Sequence, residues 1–105
     1  MDYSGTMSVA CNPTAISAAQ RPRYGDLVSR LHSAMEDSSE LQDGFRYSLR
    51  PAEISVPEIA EWITMERLCC PFLTFQLEIG EKAFRLTMRG PDGAKAILRE
   101  EFPHG

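Results

Sequence analysis

The residues best suited to chemistry lie together in the second half of the chain: Glu66, Cys69 and Cys70, followed at once by Pro71. Thiolate sulfurs bind soft ions such as Zn(II), Cu(I), Hg(II) and As(III), and a carboxylate adds an oxygen ligand or accepts a proton. Side chains three and four residues apart share one face of a helix, so both thiols can approach Glu66. The sequence therefore predicts a metal site at Glu66, Cys69 and Cys70, without identifying the ion or any other cofactor.

Glu66 lies on the apolar side of its helix. At about 100° per residue it falls in the same arc as Ile59, Trp62 and Ile63. An unpaired buried charge is costly or shifts its pKa, so a carboxylate in this arc is paired, protonated or functional. If Glu66 is paired, we expect an arginine or backbone donors near the helix end to be the partner.

The two adjacent cysteines have three interpretations that stay open, and with them the question of enzymatic activity. Ion binding requires Pro71 to end the helix at Cys70, because neighbouring side chains on a continuous helix diverge by about 100°. Redox chemistry is disfavoured because the negative helix end and Glu66 raise a thiol pKa, and Leu73 stands where a CxxC motif has its second cysteine. A structural role is the ordinary one for buried cysteine.

A family resemblance begins at these residues. The block Glu66-Arg67-Leu68-Cys69-Cys70-Pro71-Phe72 and the later Gly90-Pro91-Asp92-Gly93 turn resemble the ERxCCPFxxFxL and Gly-Pro-x-Gly motifs of a family of small bacterial proteins. The resemblance covers about residues 21–102. It implies a bacterial, soluble protein and brings no established activity.

The elements that must position the site follow from hydrophobic periodicity. Helical spacing predicts helices over 22–36 and 93–102, the second capped by Asp92. Ser55-Val56-Pro57-Glu58 is a capping box that begins a third helix, which ends at Cys69 or Cys70. The acidic segment 36–43 is predicted to be a solvated loop, with a cation site as the alternative. Alternation predicts three strands with one core, formed by Phe45, Tyr47, Leu49, Phe75, Leu77, Leu86 and Met88.

The predicted fold class is α+β. One-sided strands need a layer of helices on their apolar face, and a split βαβ connection puts the first strand beside the third. We therefore expect a three-stranded antiparallel sheet in the order 1-3-2 with helices on one face. This is a truncated ferredoxin-like βαββα unit preceded by an extra N-terminal helix. Residues 1–20 are expected to form a mobile N-terminal arm, and residues 21–105 a single domain.

The charge and the cysteine content of the chain limit the binding partners and the cellular compartment that we expect. Eleven basic and 15 acidic residues give a net charge of −4, which argues against nucleic-acid or membrane-surface binding. Three cysteines, two of them adjacent, do not form a secreted disulfide framework, so we expect a cytoplasmic protein with reduced thiols. A thin sheet leaves edges uncovered, so we expect a homodimer. A non-catalytic interaction or dimerisation module with structural cysteines is the alternative to ion binding.

Overall fold

Helices and strands are interspersed along the part of the chain that the computed structural model describes, residues 11–102. Among these residues, no helix has both the length and the apolar character needed to cross a membrane. In chain order, the elements are the short 3₁₀-helix Pro13–Ala15, α1 (Arg21–Ala34), β1 (Met35–Leu41), β2 (Gly44–Leu49), α2 (Val56–Cys69), β3 (Thr74–Ile79), β4 (Phe84–Arg89) and α3 (Ala94–Glu101).

The strands form one antiparallel sheet in the order β1-β2-β4-β3. Leu86 in the inner strand β4 lies opposite Tyr47 of β2 on one side and opposite Leu77 of β3 on the other. The α+β class and the relative order of the three predicted strands are therefore confirmed. The prediction of a three-stranded sheet is wrong, because β1 adds a fourth strand beside β2.

The fourth strand is the acidic segment predicted to be a loop. Ser38 pairs with Tyr47, and Leu41 pairs with Gly44 across a turn formed by Gln42 and Asp43. Most side chains of β1 are exposed, without the alternation that indicates a half-buried strand. Charged side chains are frequent on edge strands because they hinder pairing with another chain. Main-chain pairing with β2, rather than side-chain periodicity, makes this segment a strand.

One face of the sheet carries the core, and the helices cover it. Trp62 of α2 contacts the rings of Phe75 and Phe102, and Phe102, directly after α3, also contacts the ring of Tyr47. The predicted core is confirmed, with Phe75 and Leu77 only partly buried against it. Its fully covered strand members are Phe45, Tyr47, Leu49, Leu86 and Met88.

The helix ends depend on individual residues. The capping box at the start of α2 is confirmed: Ser55 Oγ accepts the Glu58 N–H at 3.3 Å, and Glu58 Oε1 accepts the Ser55 N–H at 2.9 Å. The predicted Asp92 cap on α3 is wrong. The N-cap is Gly93, which makes no side-chain cap and has a left-handed φ of 96°. Glycine adopts that conformation without the steric penalty of a Cβ.

Candidate functional site

The cysteines meet at the C-terminal end of α2. Cys11 and Cys70, 59 residues apart in sequence, form a disulfide with their Cα atoms 4.7 Å apart. Cys69 is a buried free thiol. The three sulfur atoms lie within 4.8 Å of one another. This group, the sulfur cluster, corrects the expectation of three reduced thiols and brings in Cys11, which the predicted site did not include.

The two adjacent cysteines direct their sulfurs to one place because α2 ends between them. Cys69 is the last helical residue, whereas Cys70 has φ −124° and ψ 73°. The Cys70 N–H still donates to the Glu66 carbonyl oxygen at 2.7 Å and closes the last turn. Pro71 disfavours helical geometry at the residue before it. The helix break required for a shared ion is therefore present.

The segment that carries Cys11 is held by noncovalent contacts as well as by the disulfide. The Asn12 N–H donates to the Cys69 carbonyl oxygen at 2.7 Å. Ile16, only 3% exposed, belongs to the core. Of the predicted mobile arm over 1–20, residues 1–10 lie outside the described residues. The contacts of Asn12 and Ile16 hold this segment against α2 and the core independently of the disulfide bond.

Two carboxyl groups and a phenol border the sulfur cluster. Glu66 is fully buried, as predicted. Its expected arginine or backbone partner is absent from the described contacts: the Tyr24 hydroxyl donates to Glu66 Oε1 at 2.6 Å, and Glu101 of α3 shares a hydrogen bond with Glu66. Glu66 Oε2 lies 3.5 Å from Cys70 Sγ, and Glu101 Oε2 lies 3.4 Å from Cys11 Sγ. Each sulfur of the disulfide thus faces one carboxyl group.

Burial and charge shift the titration of these groups. Desolvation, followed by the hydrogen bond and charge of Glu66, raises the pKa of Glu101 to about 8, so the pair of carboxyl groups retains a proton at neutral pH. Desolvation and then Glu66 raise the pKa of Tyr24, which stays a donor. Desolvation, followed by the charges of Glu66 and Glu101, raises the pKa of the Cys69 thiol. Without a bound cation, the site therefore favours the protonated thiol.

A cavity of about 230 Å³ adjoins the cluster and is lined by Tyr24, Val28, Glu101 and Phe102. Tyr24 and Glu101 line this cavity and also border the sulfurs, while no cysteine is among its lining residues. A larger cavity of about 570 Å³ lies beside Arg89 and Gly90 and shares no residue with the cluster.

Three residues of the site were missed by sequence reasoning. Cys11 had one signal, its status as the third cysteine of the chain. Tyr24 lies in the apolar arc of α1, where an aromatic residue is an ordinary core member. Glu101 is one of two adjacent acidic residues at the end of α3 and had no distinguishing signal.

Comparison of the chain with known protein families, curated proteins and solved structures found no match. The geometry of the sulfur cluster is therefore the basis for assigning a function.

Proposed function

We propose that the reduced protein binds a soft metal or metalloid ion through Cys11, Cys69 and Cys70. The observation that carries the proposal is the approach of three sulfur atoms to within 4.8 Å of one another. Soft ions select sulfur ligands over the oxygen ligands that hard ions prefer. The proposal keeps Cys69 and Cys70 of the predicted site, adds Cys11, and gives Glu66 a place beside the sulfurs. Membership of the bacterial family with the Cys-Cys-Pro-Phe motif stays a prediction.

The acidic surroundings suit a positively charged ion. Glu66, Cys70 and Glu101 offer ligand atoms that also lie within 4.8 Å of one another. A bound cation stabilises thiolates and displaces their protons, which reverses the effect of the carboxyl groups on the thiol pKa. The two carboxyl groups then supply oxygen ligands or balancing negative charge. Ion binding by this site therefore releases protons and weakens as pH falls.

The cytoplasmic location predicted from the sequence is part of this proposal. Cytoplasmic glutathione and thioredoxin keep most thiols reduced, and a thiolate rather than a disulfide sulfur is the metal ligand. The contacts of Asn12 and Ile16 keep the Cys11 segment in place without the disulfide. A reduced protein therefore retains the arrangement that three-sulfur binding needs.

The test is titration of the reduced full-length protein with Cd(II), followed by thiolate-to-metal charge-transfer absorbance and native mass spectrometry. We expect one Cd(II) per chain, bound at least tenfold more weakly by Cys69→Ser because a sulfur ligand is lost. The matched control is Leu68→Ala, the neighbouring side chain on α2, which is 50% exposed and outside the cluster. A reduced protein that takes up no Cd(II), As(III) or Hg(II) would contradict the proposal.

A second candidate function is dimerisation through the edge of the sheet, with the cysteines only structural. Among residues 11–102, strand β3 pairs with β4 alone, and its last residue Ile79 is 60% exposed. An open edge strand is a template for pairing with a second copy. Sedimentation equilibrium tests it: we expect a dimer that Ile79→Lys dissociates, and a monomer at every concentration would remove this candidate.

A further inference from the structure

We infer that the Cys11–Cys70 disulfide is a redox gate on the proposed ion site, so that the disulfide and the bound ion exclude each other. The inference rests on the proposed function and adds its regulation. Cys11 and Cys70 supply both the disulfide and two of the three sulfur ligands. Once they are bonded, Cys69 is the single free thiol of the cluster. A single thiol binds a soft ion more weakly than three sulfur ligands do.

The Cys11–Cys70 bond can break and reform without a change of fold. The Asn12 N–H binds the Cys69 carbonyl oxygen at 2.7 Å, and Ile16 lies in the core, so the segment stays docked when the sulfurs separate. The helix break at Cys70 is made by backbone geometry and Pro71, not by the disulfide. The three sulfurs therefore stay close enough either to reform the bond or to share an ion.

The three sulfur atoms differ in solvent exposure, and this difference determines which sulfur an external thiol or disulfide reaches first. Cys70 is fully buried and Cys69 is 4% exposed, whereas Cys11 is only partly buried. Cys11 Sγ also lies 3.4 Å from Glu101, which lines the adjoining cavity. An external thiol or disulfide therefore reacts first at the sulfur of Cys11.

The oxidant is a small disulfide of the glutathione class, and the reaction balances in two steps. The Cys11 thiolate attacks the small disulfide, forms a mixed disulfide and releases one small thiol. The Cys70 thiolate then attacks the Cys11 sulfur, which forms the Cys11–Cys70 bond and releases the second small thiol. The two cysteine protons pass to the two leaving thiolates, and the two electrons that the protein loses reduce the small disulfide. Reduction by two small thiols follows the same steps in reverse.

Thermodynamic linkage makes the gate reciprocal. A ligand that binds only the reduced state disfavours oxidation to the extent that oxidation disfavours the ligand. A bound ion must therefore protect Cys11 and Cys70 from the small disulfide. This protection is measurable in the unaltered protein, without a variant whose folding is in question.

The experiment compares Cd(II) binding by the full-length protein after reduction with binding after treatment with oxidised glutathione. Mass spectrometry after alkylation confirms the Cys11–Cys70 bond. We expect at least a hundredfold loss of affinity on oxidation, and at least tenfold slower disulfide formation when Cd(II) is bound. In Cys11→Ser, which cannot form the bond, we expect weaker Cd(II) binding that oxidised glutathione leaves unchanged.

The possible outcomes distinguish a failure of the redox gate from a failure of the proposed ion site. If the reduced and oxidised proteins bind Cd(II) equally, the gate is wrong and the proposed function stands. If Cys11→Ser loses Cd(II) binding on oxidation as the unaltered protein does, a different thiol reaction controls the site and the gate is again wrong. If the reduced protein binds no soft ion, the proposed function fails and the gate fails with it.

Discussion

Glu66 shows at the scale of single residues how a buried carboxylate is accommodated beside sulfur. It has no exposed surface, and its carboxyl group accepts a hydrogen bond from the Tyr24 hydroxyl at 2.6 Å and shares another with Glu101. An unpaired charge in this position would destabilise the fold. The same two partners border the cavity beside the cluster. The groups that stabilise Glu66 thus also line this cavity.

Removal of the Tyr24 hydroxyl tests this account. Tyr24→Phe deletes the donor to Glu66 and is expected to lower the free energy of unfolding by about 1–3 kcal/mol, because a buried acceptor that loses its hydrogen-bond partner costs that much. Urea denaturation of the oxidised protein measures it. The matched control is Tyr47→Phe, since Tyr47 is fully buried and its hydroxyl has no hydrogen-bond partner among the described residues. Equal effects of the two variants would contradict the role of Tyr24.

Glu101 predicts a pH dependence of stability. Its pKa is raised from 4.5 to about 8 in the folded protein, so across that interval the folded state binds more protons than the unfolded state. Stability therefore falls as pH rises from the ordinary carboxyl pKa to the raised one. Chemical denaturation of the oxidised protein at several pH values measures the slope.

The variant Glu101→Gln isolates this contribution. It removes the titrating group and is expected to flatten the slope over the same pH interval. Glu100→Gln is the control, because Glu100 is an exposed neighbour on α3. A slope that persists in Glu101→Gln would assign the dependence to another group.

At the scale of elements, the close approach of β2 and β4 depends on one small residue. Gly44 pairs with Arg89, and a Cβ at Gly44 would lie 1.9 Å from the Met88 carbonyl oxygen and 2.8 Å from Arg89 Cα. Backbone atoms cannot move aside as a flexible side chain does. The first residue of β2 must therefore be glycine for this register with β4 to form.

Two glycine substitutions with opposite expected effects test the register. Gly44→Ala forces the strands apart and is expected to destabilise by about 1–3 kcal/mol or more, the usual effect of overpacking. Gly25→Ala, at an exposed position in α1 with nothing within 4 Å of the new Cβ, is expected to stabilise by about 1 kcal/mol from helix propensity. Thermal denaturation of both variants measures the difference, and a neutral Gly44→Ala would show that the strands accommodate a side chain.

At the scale of the whole molecule, the disulfide links the N-terminal segment to the end of α2 across 59 residues of sequence. The enclosed part of the chain includes α1, the β1–β2 hairpin and α2. A covalent closure of this length restricts the unfolded chain and thereby stabilises the folded one. Under the proposed gate, the oxidised protein is therefore more stable, whereas the reduced protein is less stable but has its sulfur ligands free.

The two redox states are expected to differ in stability. Reduction should lower the free energy of unfolding by about 4 kcal/mol, the loop-closure value for a disulfide that spans this length. Urea denaturation of the oxidised and reduced proteins measures the difference. Cys69→Ser, which leaves the disulfide intact, should keep most of it. Adding Cd(II) to the reduced protein should recover part of the loss, because the ion binds the folded state.

The sequence by itself determined what depends on neighbours along the chain. The capping box at Ser55, the helix break at Pro71 and the burial of Glu66 follow from local geometry and helical spacing. The alternation of apolar residues also identified the three strands that bury a face. These features needed no knowledge of what packs against them.

Only the tertiary structure determined which distant residues contact Glu66 and the cysteines. Tyr24 lies 42 residues before Glu66, and Cys11 lies 90 residues before Glu101. Such contacts form because α1, α2 and α3 pack on one face of the sheet. No local sequence pattern predicts them. Strand β1 has the same origin, since its backbone pairs with β2 while its side chains remain mostly exposed. The site predicted at Glu66, Cys69 and Cys70 therefore acquires Cys11, Tyr24 and Glu101 only when distant parts of the chain pack together.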